Sequence, residues 1–179
     1  MLRTLAFATV FRLALPVHGQ DFQKGLEAYN NGDYVTALHE WRPLAESADA
    51  TAQHNLGIMH GIGLGVAQDY AESAHWFRLS AEQGHAKSQH FLGLMYGNGL
   101  GVEQNDAEAV RWHRLAAEQG IAEAQVVLGA MYGKGRGVAQ DNVQSHFWFY
   151  IAATQGNEDA AKVRDAAVGE LPLADVAKA

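Results

Sequence analysis

Apolar positions recur along the chain in a fixed relation to glycine. In the central stretch GHAKSQHFLGLMYGNGLGVEQNDAEAVRWHRLAAEQG, Gly84–Gly120, residues Leu92, Met95 and Tyr96 fall on one helical face. The run Gly97-Asn98-Gly99-Leu100-Gly101 then breaks the pattern, because glycine is costly in helices and tolerates φ > 0; it predicts a loop. Asn105 with Glu108 three residues on predicts a capping box, repeated as Asp69 with Glu72 and Asp141 with Gln144. The second helix stops at Gly120, a predicted left-handed cap. The predicted unit is helix, eight-residue loop, helix, tight turn.

This unit repeats. Asp49–Gly84 matches His85–Gly120 at 21 of 36 positions, and Ile121–Gly156 keeps the same skeleton. Leu56-Gly57, Leu92-Gly93 and Leu128-Gly129 fall in register, as do Trp76, Trp112 and Trp148, and Gly84, Gly120 and Gly156. Such a period marks a solenoid, in which a lone hairpin cannot bury its apolar face but stacked neighbours can. Gly57, Gly93 and Gly129 sit mid-helix, where glycine costs about 1 kcal/mol relative to alanine, so they predict helix contacts with no room for a Cβ. The tryptophans are expected in the core between repeats.

The flanks depart from the pattern. Residues 1–19 read as a signal peptide: Arg3 is followed by a mostly apolar run, and Val17-His18-Gly19 offers small residues at a cleavage site before Gln20. A retained N-terminal helix and an organelle transit peptide are the other readings. Residues 20–179 form one domain. Within it, residues 20–48 are a shorter N-terminal capping hairpin, with a turn at Asn30-Asn31-Gly32, a cap at Asp33, Trp41 one place off the later tryptophans, and Pro43 expected to kink the second helix. Residues 49–84, 85–120 and 121–156 are the three full repeats, and 157–179 the C-terminal cap, helical over 157–167 and ending in a tail from Leu171-Pro172.

His85–Gly120 resembles the Sel-one-like repeat (SLR) family, the longer-looped relative of the tetratricopeptide repeat, whose pattern is roughly A-x-A-Q-x-x-L-G-x-M-Y-x-x-G-x-G-V-x-x-D-x-x-x-A-x-x-W-x-x-x-A-A-E-Q-G; residues 20–48 look more like a tetratricopeptide repeat itself. The departures are His60 for tyrosine, Asn105 for aspartate and Thr154 for glutamate. The resemblance implies an all-α fold, a right-handed α-solenoid superhelix of antiparallel hairpins with about ten helices, whose first helices line the inner curve and bind other proteins. Some such proteins are cysteine-rich and have been linked to β-lactam binding; this chain has no cysteine and falls outside that subgroup.

Charge and composition narrow the function. The net charge is −7, and removal of residues 1–19 leaves 11 basic and 20 acidic residues, net −9, with no basic cluster for nucleic acid. No basic amphipathic face suggests membrane association once the leader is gone, and a monomer is expected. Export to the periplasm or beyond is expected, or the cytoplasm if residues 1–19 are not a leader. Gly97-x-Gly99-x-Gly101 lacks the strand a phosphate-binding loop needs. The histidines, His54 and His90 among them, show no zinc-ligand spacing and are read as lining a polar binding surface; no metal and no cofactor are expected. No nucleophile motif is present, so no catalytic residue is assigned.

Between repeats the packing positions barely change. The positions that do are Thr51, His54, Asn55 and Ile58; Lys87, His90, Phe91 and Leu94; and Glu123, Val126, Val127 and Ala130. Their i, i+3, i+4, i+7 spacing is one stripe of the first helix. The stripe is too apolar for a merely solvated face and reads as a groove for a protein or peptide, with Phe91 expected to stand clear of the packing between repeats. The leading function is a non-catalytic interaction scaffold of the bacterial envelope or secreted space. The alternatives are a peptidoglycan-related or other hydrolase, or a regulator of one, and a secreted host-interacting effector.

Overall fold

The computed structural model describes residues 21–167; residues 1–19, where the sequence predicts a leader, and the tail from Leu171 lie outside the described residues. Among the described residues there are nine helices and no strand: α1 Phe22–Asn30, α2 Tyr34–Glu46, α3 Ala50–Ile62, α4 Tyr70–Glu82, α5 Ala86–Asn98, α6 Asp106–Glu118, α7 Ala122–Lys134, α8 Asn142–Thr154 and α9 Glu158–Ala167. Each helix packs principally on the one before and the one after it, the neighbour-only contact of an α-solenoid.

The helix starts are half as the capping box predicts. Asp69, Asn105 and Asp141 accept from the N–H of Glu72, Glu108 and Gln144 at 3.0, 3.1 and 3.0 Å. The return bond is not made, because each cap's own N–H already donates to the first helix, to the carbonyls of His60, Tyr96 and Tyr132 at 2.9, 2.9 and 3.0 Å. The helix ends also differ from expectation. α5 runs into the glycine run as far as Asn98 and is closed by Gly99 at φ 66°. The loop that remains docks on the preceding hairpin: an added Cβ on Gly101, at φ 68°, would strike the Tyr70 backbone, and Gly65 and Gly137 meet Tyr34 and Asp106 likewise. The second helices end as predicted, with Gly84, Gly120 and Gly156 at φ 88–89°. In the N-terminal hairpin Ala48 holds that position at φ 68°, where a Cβ is strained.

Two periodic devices lock the stack. The tryptophans Trp76, Trp112 and Trp148 are buried between repeats. Beside them runs a ladder of buried glutamines. Gln53, Gln89 and Gln125 donate to the Ala45, Ala81 and Ala117 carbonyls of the preceding helix and accept from Gln83, Gln119 and Gln155 at 2.7, 2.7 and 3.1 Å. Arg78 and Arg114 add bonds to the phenols of Tyr96 and Tyr132 in the next repeat. At the corresponding first-repeat position His60 leaves its buried Nε2 unpaired, so that substitution removes one tie.

The mid-helix glycines are notches, each sealed by a ring from the second helix. An added Cβ on Gly57 would lie 2.7 Å from the Phe77 ring, on Gly93 2.9 Å from His113, and on Gly129 3.2 Å from Phe149. Trp41 covers Gly25 in the same way and donates its Nε1–H to the Phe22 carbonyl at 3.2 Å. Its one-place offset from the later tryptophans is thereby explained: Trp41 is the notch ring of the N-terminal hairpin. Helix α2 runs through Pro43 to Glu46.

Candidate functional site

The stripe lies along α3, α5 and α7, but its members are unequally available. Thr51, Lys87 and Glu123 are exposed at its outer edge, and Phe91 is 37 % exposed. Asn55, Ile58, His90, Leu94, Val126, Val127 and Ala130 are half-buried. His54 is 7 % exposed and does not line a surface, contrary to the sequence reading. Its Nδ1 lies 2.8 Å from Ser88 Oγ, and its ring packs on Phe77, His85 and Phe91.

Phe91 does not stand clear of the packing either. Its ring stacks on the buried Phe77 of α4, with centroids 5.0 Å apart and planes 6° from parallel. One face therefore belongs to the junction between hairpins. The apolar character of the other members has the same source. Ile58 packs against the core cluster that contains Phe77, Leu92 and Trp112. Val127 joins the core around Leu128 and Trp148. Val126 and Ala130 pack against Phe149, Ala152 and Ala160, the last from α9. On α5 a patch of Phe91 with Leu94 stays partly accessible, with Lys87 of α5 and Glu123 of α7 exposed.

Beneath that patch lies a polar network that the repeat pattern does not announce. Ser80 Oγ donates to the Ala50 carbonyl at 2.6 Å, and Ser88 Oγ donates to Ser80 Oγ at 2.8 Å. Ser88 Oγ also lies 3.0 Å from His85 Nδ1, so one hydroxyl joins both imidazoles to Ser80. His85 caps α5 through the same serine, its Nδ1 3.3 Å from the Ser88 N–H. Burial, then the positive charge of His85 and Lys87, pushes His54 down to about 4, which keeps it neutral. Burial, then His90, pushes His113 down to about 3. Both serines and His85 differ from their counterparts in the other repeats, but that difference does not show that they meet.

Two surface clefts, of about 440 and 560 Å³, lie elsewhere, where second helices meet the following loops. Arg78, Tyr96 and Glu108 line one, and Arg111, Arg114 and Leu115 the other. They are shallow, and none of their lining residues belongs to the stripe. Among the described residues no group of three or more His, Asp or Glu is placed to hold a metal ion, and no helix is long and apolar enough to cross a membrane.

Comparison with known proteins bears on the fold and the family. The Sel1 repeat model matches residues 50–85, 86–121 and 122–157, one residue later in phase than the repeats read from the sequence. No curated protein matches the chain. A Sel1 repeat protein from Oxalobacter formigenes has a similar structure, TM-score 0.80 at 31% identity, over 84% of this chain and 62% of that one. A protective antigen present in uropathogenic Escherichia coli strains and displaying an SLR fold aligns with TM-score 0.74 at 37% identity, over 79% of this chain and 32% of that one. Helicobacter pylori cysteine rich protein B shares the fold alone, at TM-score 0.55 and 20% identity, over 81% of this chain and 98% of that one. The chain thus spans less than two thirds of the first two relatives. Three matched repeats, covering more than half of the residues and built on the same glycine notches and glutamine ladder, place the chain in the Sel1 repeat family.

Proposed function

We propose that the chain is a non-catalytic scaffold that holds a protein or peptide on the first-helix stripe, centred on the open face of Phe91. Sel1 repeat proteins typically mediate protein–protein interaction. The observation that carries the reading is Phe91 itself: an aromatic ring anchored on one side by Phe77 and open on the other, with a polar edge of Lys87 and Glu123. A rigid aromatic ring within a polar rim has the anatomy of a binding hot spot. The leader-like residues 1–19 support work in the periplasm or outside the cell. The test is differential capture from the native envelope and secreted fractions. A partner retained by the wild type and by Leu115→Ser, on the far helix, but lost with Phe91→Ser supports the stripe. A partner lost only with Leu115→Ser moves the site to the second helices.

A further inference from the structure

The ring that seals the glycine notch is hydrocarbon or indole in three hairpins, Trp41, Phe77 and Phe149, and an imidazole, His113, in the central repeat. His113 is 1 % exposed, and its buried Nδ1 has no hydrogen-bond partner. Beside it stands His90, ring centroids 5.1 Å apart, whose Nδ1 is also buried and unpartnered. The third repeat has Val126 at the position of His90. From His90 the ring contacts run to Phe91 at 5.8 Å, from Phe91 to His54 at 5.8 Å, and from His54 to His85 at 4.6 Å. Two imidazole pairs, His54 of α3 with His85 at the cap of α5 and His90 of α5 with His113 of α6, thus flank one phenylalanine, which His54 and His90 touch. Phenylalanine and valine fill the equivalent space in the third repeat, so packing alone does not call for histidine; what the imidazoles add is the capacity to take a proton.

We propose that this cluster is a proton-operated latch: with its rings neutral it closes the α3–α5–α6 junction and seats Phe91, and when the rings charge the junction opens. The surroundings favour that response. The charged groups facing His54 are His85 and Lys87, both bases, while α4 presents Phe77 and the Ser80 hydroxyl to the network. His113 faces His90. Glu123 of α7 faces His90 and offsets a charge there alone. Burial lowers all four imidazoles below the ordinary histidine value. Well above pH 6.5 neither folded nor unfolded chain is charged at these sites, and stability is unaffected. As pH falls below 6.5 the unfolded chain takes protons that the fold refuses, so stability is lost until the folded values, about 4 for His54 and about 3 for His113, are reached.

The test uses the full chain without a partner, so it stands apart from the groove reading; only the further step, that opening the latch empties the stripe, rests on that reading. Urea unfolding is measured at pH 7.5 and 5.0 for the wild type, His113→Phe and His90→Val, the last two importing residues found at the same positions of the third repeat. A histidine held neutral in the fold raises the unfolding constant roughly 30-fold between these pH values, given an unfolded value of about 6.5. His113→Phe should therefore lose about 30-fold less than the wild type on acidification, and His90→Val should shift in the same direction. Hydrogen exchange at pH 5.0, corrected for intrinsic rate, should rise first in α5 and α6 and last in α1 and α2. Equal acid sensitivity in wild type and both variants, or a uniform rise in exchange along the chain, overturns the latch. If the latch behaves as expected but partner affinity is the same at both pH values, the latch stands and the stripe is not its output.

Discussion

Gly93 and Gly97 lie one turn apart on α5, and the notch predicts opposite outcomes when each becomes alanine. Alanine at either position returns up to about 1 kcal/mol of helix propensity. At Gly97 a Cβ meets nothing closer than Ala109 Cβ at 3.6 Å and Arg136 Nη2 at 3.9 Å, which is ordinary contact, so Gly97→Ala should stabilise by about 0.5–1 kcal/mol. At Gly93 the Cβ would lie 2.9 Å from two atoms of the His113 ring and 3.0 Å from a third. That ring is 1 % exposed, so it can yield only by shifting within the packed interior. Overpacking of this kind costs about 1–3 kcal/mol, which exceeds or cancels the propensity gain and leaves Gly93→Ala destabilised by about 0–2 kcal/mol. For a chain of this size the two variants should differ by several degrees in Tm, at about 2–4 °C per kcal/mol. Urea and thermal unfolding of both read the difference, and Gly93→Leu should be worse than either. If Gly93→Ala gains as much stability as Gly97→Ala, the glycine faces open space and the notch argument fails.

Gln89→Leu strands the Ala81 carbonyl inside the stack and removes the acceptor of the exposed Gln119 amide, and should cost about 1–3 kcal/mol in urea unfolding; no change in midpoint means that water reaches the carbonyl. Ala48→Gly relieves a left-handed alanine and should raise stability by about 0.5–1 kcal/mol, visible as a higher Tm. Arg136 ties Asp106, at 2.8 Å, and the Gly97 carbonyl across a repeat boundary, but at a largely exposed site, so Arg136→Ala should cost no more than about 1 kcal/mol, and less at high salt. N-terminal sequencing of protein recovered from its native host should begin at or near Gln20; a chain that still begins at Met1 removes the export reading.

The fold was legible because a solenoid writes each packing rule several times. Gly57, Gly93 and Gly129 announced a close approach, and they have one; Trp76, Trp112 and Trp148 announced the core, and they fill it. Local signals were less complete. The helix pattern could not show that α5 carries on into the glycine run to Asn98, because only the position of Gly99 in the left-handed region decides where it stops. The capping boxes lost their return half to a tertiary carbonyl that spacing along the chain does not reveal. The site was legible as a stripe but not in depth. Variation among repeats marks positions released from one packing role, yet His54 was released into a buried network with Ser88, and Val126 and Ala130 into contact with α8 and α9. Repeat comparison separates constant positions from variable ones; it does not separate variable packing from free surface.

Phe91 joins the fold to the proposed function, and a paired measurement on Phe91→Ala tests that link most directly. Isothermal calorimetry with the captured partner and thermal unfolding of the free protein are run on the same preparation. Loss of the stack on Phe77 should cost about 1–2 kcal/mol of stability, leaving the chain folded. Loss of the open face should cost on the order of 2 kcal/mol of binding, roughly a thirtyfold weaker Kd per folded molecule. A variant that is destabilised by that amount and still binds its partner with unchanged Kd would show that Phe91 is core alone and that the partner sits elsewhere.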